Sequence, residues 1–135
     1  MRTSLALLTA GLLLTACSTT TQYAFQPPAA DEPEAKISFV QYHGIRDWHA
    51  DNNRQLYVQA ADRQWFQVDL FGPCIGLEYA SRVGFDTRDP AGSFDRFGTI
   101  VVRGGERCKV DSVKKIAKPT RTEKPRSARA RPNQA

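Results

Sequence analysis

Three cysteines, two histidines and fourteen acidic residues are the side chains of this 135-residue chain with chemistry to offer. Cys17, Cys74 and Cys108 each carry a thiol able to attack a carbonyl, ligate a metal, close a disulfide or take a covalent modification. An odd count means that one of them has a use the other two do not share. His43 and His49, with Asp47 and Asp51 nearby, invite a metal reading. Their spacing argues against it, because a helical ligand pair stands three or four residues apart and a zinc site recruits cysteines. They read instead as polar loop residues. Asp86, Asp89 and Asp95 gather round a Pro-Gly turn, but Arg88, Pro90 and Phe97 stand where a calcium loop needs oxygens. Turn formation accounts for those aspartates. Glycine-rich phosphate loop, serine elbow and supported acid pair are all missing from the sequence. The expectation is therefore no catalytic set, no metal and no cofactor.

Cys17 is marked by what precedes it. Met1 and Arg2 give a positive start, and Leu5 to Leu14 follow as an uncharged apolar stretch broken only by Thr9 and Gly11. At about 1.5 Å per residue this stretch falls well short of the roughly 30 Å hydrocarbon core. Residues 1–16 read as an export signal rather than a spanning helix. Leu14-Thr15-Ala16-Cys17 then resembles the bacterial lipobox, in which small residues admit the lipoprotein signal peptidase. That resemblance implies cleavage before Cys17 and a diacylglyceryl group on its sulfur. Each buried methylene contributes about 0.8 kcal/mol, so several acyl chains anchor a protein durably where one does not. Ser18, a non-acidic residue after the cysteine, implies by the same resemblance sorting to the outer membrane, facing the periplasm. The rival reading, a secreted protein with an accidental cysteine, leaves the match of charge, length and small residues to chance.

With Cys17 given to lipid, Cys74 and Cys108 remain as an even pair in an exported chain, where disulfides form and persist. Closing a loop of roughly 35 residues is worth on the order of 4 kcal/mol in the chain-entropy view. The competing reading is a nucleophilic cysteine served by His43 or His49, an undetected hydrolase. It loses because an exported pair is normally oxidised and nothing local lowers a thiol pKa.

These groups must be held by the elements around them. Residues 17–35 are rich in Thr, Gln, Pro and Ala, with Pro27-Pro28 and the acidic Asp31, Glu32 and Glu34, and read as a tether. Tyr23 and Phe25 in it have two possible resting places, membrane or domain. Residues 36–116 hold eleven of the thirteen aromatics and eight of the nine glycines, which marks them as the folded domain. Leu56, Val58 and Ala60 alternate with Tyr57 and Gln59, and Phe66, Val68 and Leu70 with Trp65, Gln67 and Asp69. Period-two runs make half-buried strands, and residues 61–64 between them are short enough for a hairpin. Further strands are predicted at Ile37–Tyr42, Leu77–Phe85, Thr99–Arg103 and Cys108–Val110, with Gly104-Gly105 turning the last two. Val110, Val113 and Ile116 fit a final helical turn. About six short strands without a long helix predict a mainly β fold, a small antiparallel β barrel or sandwich.

Residues 117–135 carry Lys118, Arg121, Lys124, Arg126, Arg129 and Arg131 against Glu123, so six minus one gives +5. Cys17 to Ile116 carries twelve basic and thirteen acidic residues, or −1. With three prolines and no large apolar residue, this end reads as a disordered basic tail. Export argues against nucleic acid as its partner. The anions of an envelope are phospholipid headgroups, lipopolysaccharide phosphates and peptidoglycan carboxylates, each able to attract such a tail in a salt-dependent way. Trp48, Trp65, Phe66, Phe94 and Phe97 are the bulky groups of the domain, first needed for its core. Trp48 or Trp65 exposed in a groove would instead make the domain a ligand-binding or enzyme-inhibiting module.

The run from Leu56-Tyr57-Val58 through Trp65 to Phe71-Gly72-Pro73-Cys74-Ile75-Gly76-Leu77, then Val83-Gly84-Phe85, Phe94-Asp95-Arg96-Phe97 and Cys108-Lys109-Val110-Asp111-Ser112-Val113, resembles the domain of unknown function 6491 family of small proteobacterial lipoproteins. The resemblance spans Ile37 to Val113, leaving the basic tail as an elaboration. It implies a β-rich domain and supplies no activity. The expectation is a non-enzymatic lipoprotein that binds a partner or organises the envelope.

Overall fold

The computed structural model describes residues 20–38, 40 and 44–124. Residues 1–16, Cys17, His43, Arg126, Arg129 and Arg131 lie outside them. The described residues divide into two units, with boundaries after Tyr23 and after Thr120. At the chain ends β1 (Thr20–Ala24) and β8 (Thr120–Lys124) pair as a two-stranded sheet.

The larger unit is built on β2 (Ile45–Asn52), β3 (Gln55–Ala60), β4 (Trp65–Leu70), β5 (Val83–Asp86), β6 (Thr99–Val102) and β7 (Arg107–Ile116). They form one antiparallel sheet in the order β2-β3-β4-β7-β6-β5, curled into a half-barrel. The fold is mainly β, and among the described residues the one helical element is a 3-10 turn at Leu77–Tyr79. The period-two runs form β3 and β4, joined through residues 61–64, where Arg63 takes a left-handed φ of 69°. Gly104 and Gly105 turn β6 into β7 at φ of 106° and 93°, a region glycine enters without a Cβ clash.

The concave face carries the core. Leu56 and Val58 of β3, Phe66, Val68 and Leu70 of β4, Val110 and Val113 of β7, and Ile100 and Val102 of β6 are buried there. Ile37, Leu77, Phe94 and the bonded Cys74 close over them from the loops. Gly98 must stay small, since a Cβ there would stand 2.5 Å from the fully buried Phe94 ring.

Four expectations are corrected. The helical turn at Val110, Val113 and Ile116 is strand: β7 runs through all three. Asp69 opposes Ser112 and Leu70 opposes Val110, so Asp111 is an extra residue, a β-bulge. The bulge returns Val113 to the face of Val110, while Ile116 lies on the other face with Tyr57 and Trp65. The strand over Ile37–Tyr42 is, in its described part, a single bridge of Ile37 to Phe94. The strand over Leu77–Phe85 divides into the 3-10 turn and the short β5. Finally, neither end is wholly tether or tail. β1 and β8 are strands, and Phe25, Glu34 and Ala35 lie against the sheet. The Ala35 N–H donates to the Val113 carbonyl at 2.8 Å, and the Val113 N–H to the Glu34 carboxylate at 3.1 Å. These bonds occupy the edge of β7 beyond its ladder with β6, which satisfies backbone groups that would otherwise need water.

Candidate functional site

Among the described residues the six-stranded sheet ends on β2 and β5, and both strands line one cleft. β2 supplies Ile45, Arg46, Asp47 and Trp48, β5 supplies Val83 and Phe85, and Val40 closes one end, around a space of about 470 Å³. The cleft exists because β2 irregularities shift the register between Ile45 and Asp47, letting Ile45 and Trp48 both turn inward. Trp48 is half-buried and packs on the core, and its backbone N–H donates to the Asp47 carboxylate at 2.8 Å. Phe85 is fixed edge-on against Phe94, ring centres 5.2 Å apart. The walls thus combine two aromatic rings, aliphatic groups, one guanidinium and one carboxylate. A second depression of about 700 Å³ lies across β5, lined by Ser81, Arg82, Val83, Gly84, Val101, Val102 and Arg103. The chemistry on offer is apolar contact, strand-edge hydrogen bonding and attraction for an anionic group.

The convex face carries a second aromatic cluster. Phe25 stacks on Tyr57 at 3.9 Å and 7°, meets Trp65 edge-on at 5.3 Å, and lies 5.6 Å from the His49 ring. Burial first, then the charges of Asp51 and Asp69, hold the Tyr57 hydroxyl above its usual pKa of 10.0. Gln67, opposite Tyr57, donates through Nε2 to both Asp69 oxygens, and Ser112 donates to Asp69 at 3.0 Å. The buried Gln67 Oε1 has no hydrogen-bond partner among the described residues.

Beyond these faces, Phe71, Ile75, Tyr79 and Phe97 present large apolar side chains to solvent, Tyr79 at 89% exposure. Phe71 and Ile75 flank Cys74, and the guanidinium of Arg96 lies 5.6 Å over the Phe97 ring.

The residues singled out in the sequence are distributed as follows. Cys74 and Cys108 are joined, Cα atoms 5.6 Å apart, tying the turn after β4 to β7. Both thiols are used in that bond. His49, Asp47 and Asp51 are on β2 rather than in a loop, and His49 faces Phe25 instead of a cysteine. Asp89 and Asp95 accept turn N–H groups, as turn formation requires, and Asp86 pairs with Arg107. Among the described residues no group of three or more His, Cys, Asp or Glu is placed to hold a metal ion. Trp65, Phe66 and Phe94 are core, while Trp48 reaches a cleft and Phe97 is exposed. Lys118 and Arg121 are exposed, and Lys124 ends β8. No helix among the described residues is long and apolar enough to cross a membrane. Two contributors escaped the sequence reading. Arg46 had no local signal, and Phe85 was assigned to a strand without its edge position.

Curled sheet, single disulfide and seam together define a small antiparallel β-domain with one open side. The chain belongs to DUF6491, a family of unknown function whose model matches residues 1–132. That span takes in the basic segment up to position 132, which is therefore no elaboration beyond the family. Comparison with curated proteins and with solved structures gives no match.

Proposed function

We propose that this chain is a lipid-anchored protein of the bacterial cell envelope, held on the periplasmic face of the outer membrane through Cys17. Its β-domain acts by binding rather than by catalysis. The observation that carries this reading is the division of labour among three cysteines. Two close a disulfide in the domain, a bond that persists in oxidising compartments, and the third ends a lipobox-like Leu14-Thr15-Ala16-Cys17. Fractionation tests it: the protein is expected in the membrane pellet, and Cys17→Ser in the soluble fraction. Equal partition of the two forms overturns the anchor.

A second reading, ligand capture by the domain, is favoured by Trp48. Trp48 lines a cleft, where Phe85 and Arg46 stand beside it, whereas Trp65 is buried. The ligand class fitting those walls is an apolar or extended chain bearing an anionic group. In a Trp65→Phe background the remaining indole reports on the seam. Dodecyl phosphate is expected to shift its emission and Arg46→Gln to weaken the effect; an unchanged spectrum removes this reading.

A further inference from the structure

We propose that the depression across β5 is a binding site for a phosphomonoester, its phosphoryl group held by the guanidiniums of Arg82 and Arg103. The site shares only Val83 with the Trp48 cleft and does not depend on the Cys17 anchor. Arg82 immediately precedes β5 and Arg103 immediately follows β6, each one step beyond the cross-strand pair Val83–Val102. Both line the same space of about 700 Å³. Both are exposed, and neither has an ion pair or a side-chain hydrogen bond among the described residues. Asp86, the acid of β5, is taken by Arg107 instead. Two like charges flanking one hollow repel each other until an anion enters between them.

Gly84 supplies an independent observation. It sits inside β5 opposite Val101, where a residue with a side chain would strengthen the strand. Its backbone does not demand glycine. Its φ lies outside the left-handed region, and an added Cβ would meet the Val101 side chain at 3.5 Å, an ordinary contact. What glycine provides here is an open floor to the depression, and a glycine within a strand often marks where a ligand comes close. The donors select the anion. A carboxylate is filled by one guanidinium fork, whereas a phosphomonoester brings three terminal oxygens and close to two negative charges at neutral pH. That matches two forks with the Ser81 hydroxyl beside them. The space exceeds what a phosphoryl group alone fills, and Val83 and Val101 offer apolar contact to the organic part of the ester.

Nuclear magnetic resonance of the full chain in neutral detergent micelles, with isotope-labelled arginine, reads the Nε–Hε signal of each guanidinium. Glycerol phosphate, or phosphatidic acid mixed into the micelles, is expected to shift the Arg82 and Arg103 signals saturably, whereas acetate at matched ionic strength is not. A response to glycerol phosphate assigns a soluble ester, and a response to phosphatidic acid alone assigns a lipid headgroup; either upholds the site. Arg82→Gln and Arg103→Gln are each expected to weaken binding about tenfold, the loss of one charge-assisted contact. Arg88→Gln removes the same charge from an exposed arginine outside the depression and is expected to change affinity less than about twofold, its effect screened by salt. Gly84→Val is expected to fold at least as stably as wild type and yet to bind about tenfold more weakly, which a purely structural glycine would not cause. No saturable shift with either ester, an equal response to acetate, equal weakening by Arg88→Gln, or undiminished affinity in Gly84→Val each overturns the proposal.

Discussion

Val110 and Ile116 are both buried on the same strand, yet they face opposite sides of the sheet. One belongs to the concave core and the other to the Tyr57–Trp65 cluster. The extra residue Asp111 separates Val110 from the part of β7 that pairs in register with β4. Because Asp111 is the extra residue, its deletion leaves Leu70 opposite Val110 and Asp69 opposite Ser112 and keeps Val113 on the face of Val110. Deleting Lys114, inside the stretch that pairs in register with β4, instead slips Lys115 and Ile116 to the opposite faces. Urea denaturation should find the Asp111 deletion within about 2 kcal/mol of wild type and the Lys114 deletion lowered by more than about 3 kcal/mol, and equal losses would contradict the bulge.

Phe25 fixes the boundary of the domain. Its ring covers Tyr57, Trp65 and His49, so residues 25–35 contribute to stability although their composition resembles a linker. Phe25→Ala should cost about 2 kcal/mol, less than a fully buried Phe→Ala because the ring is half-exposed. A chain starting at Lys36 should lose at least as much. Wild-type stability of that truncated chain would contradict the packing.

Reduction or Cys108→Ser should cost about 4 kcal/mol, set by the 34-residue separation of Cys74 and Cys108. Denaturation with and without reductant measures it. A midpoint indifferent to reductant would show that the bond adds nothing to the fold.

Tyr57 sets a pH dependence. Burial and the neighbouring Asp51 and Asp69 disfavour tyrosinate, so the folded pKa lies above the unfolded value of 10.0. The folded state holds this proton more tightly. The contribution is thus complete below pH 10 and is lost as pH rises through the folded value. Stability of the wild type should fall more steeply above pH 10 than that of Tyr57→Phe, as read from urea midpoints at each pH. Parallel curves would contradict the burial of the hydroxyl.

The two central strands and their hairpin were legible because each is a local pattern, and the cysteine pair because setting Cys17 aside left an even count. Leu56-Val58-Ala60 and Phe66-Val68-Leu70 keep strict alternation, and Gly104-Gly105 marks its own turn. β2 was missed because register shifts near Arg46 and Asp51 break its alternation, leaving Ile45, Trp48 and Ala50 inward at uneven spacing. The burial of Tyr57 and Trp65 depends on Phe25, thirty-two and forty residues away in sequence, which no window of periodicity registers. The seam depends on sheet order. β5 ends one edge only because β6 pairs with β7 and β7 with β4, so Arg46 and Phe85 gained their place from topology rather than from neighbours in the chain.

Mass spectrometry of the intact protein extracted from membranes tests the lipid anchor most directly. The expected mass lacks residues 1–16 and includes acyl chains on Cys17. A mass that retains the leader, or a processed chain whose Cys17 is an unmodified thiol, contradicts it.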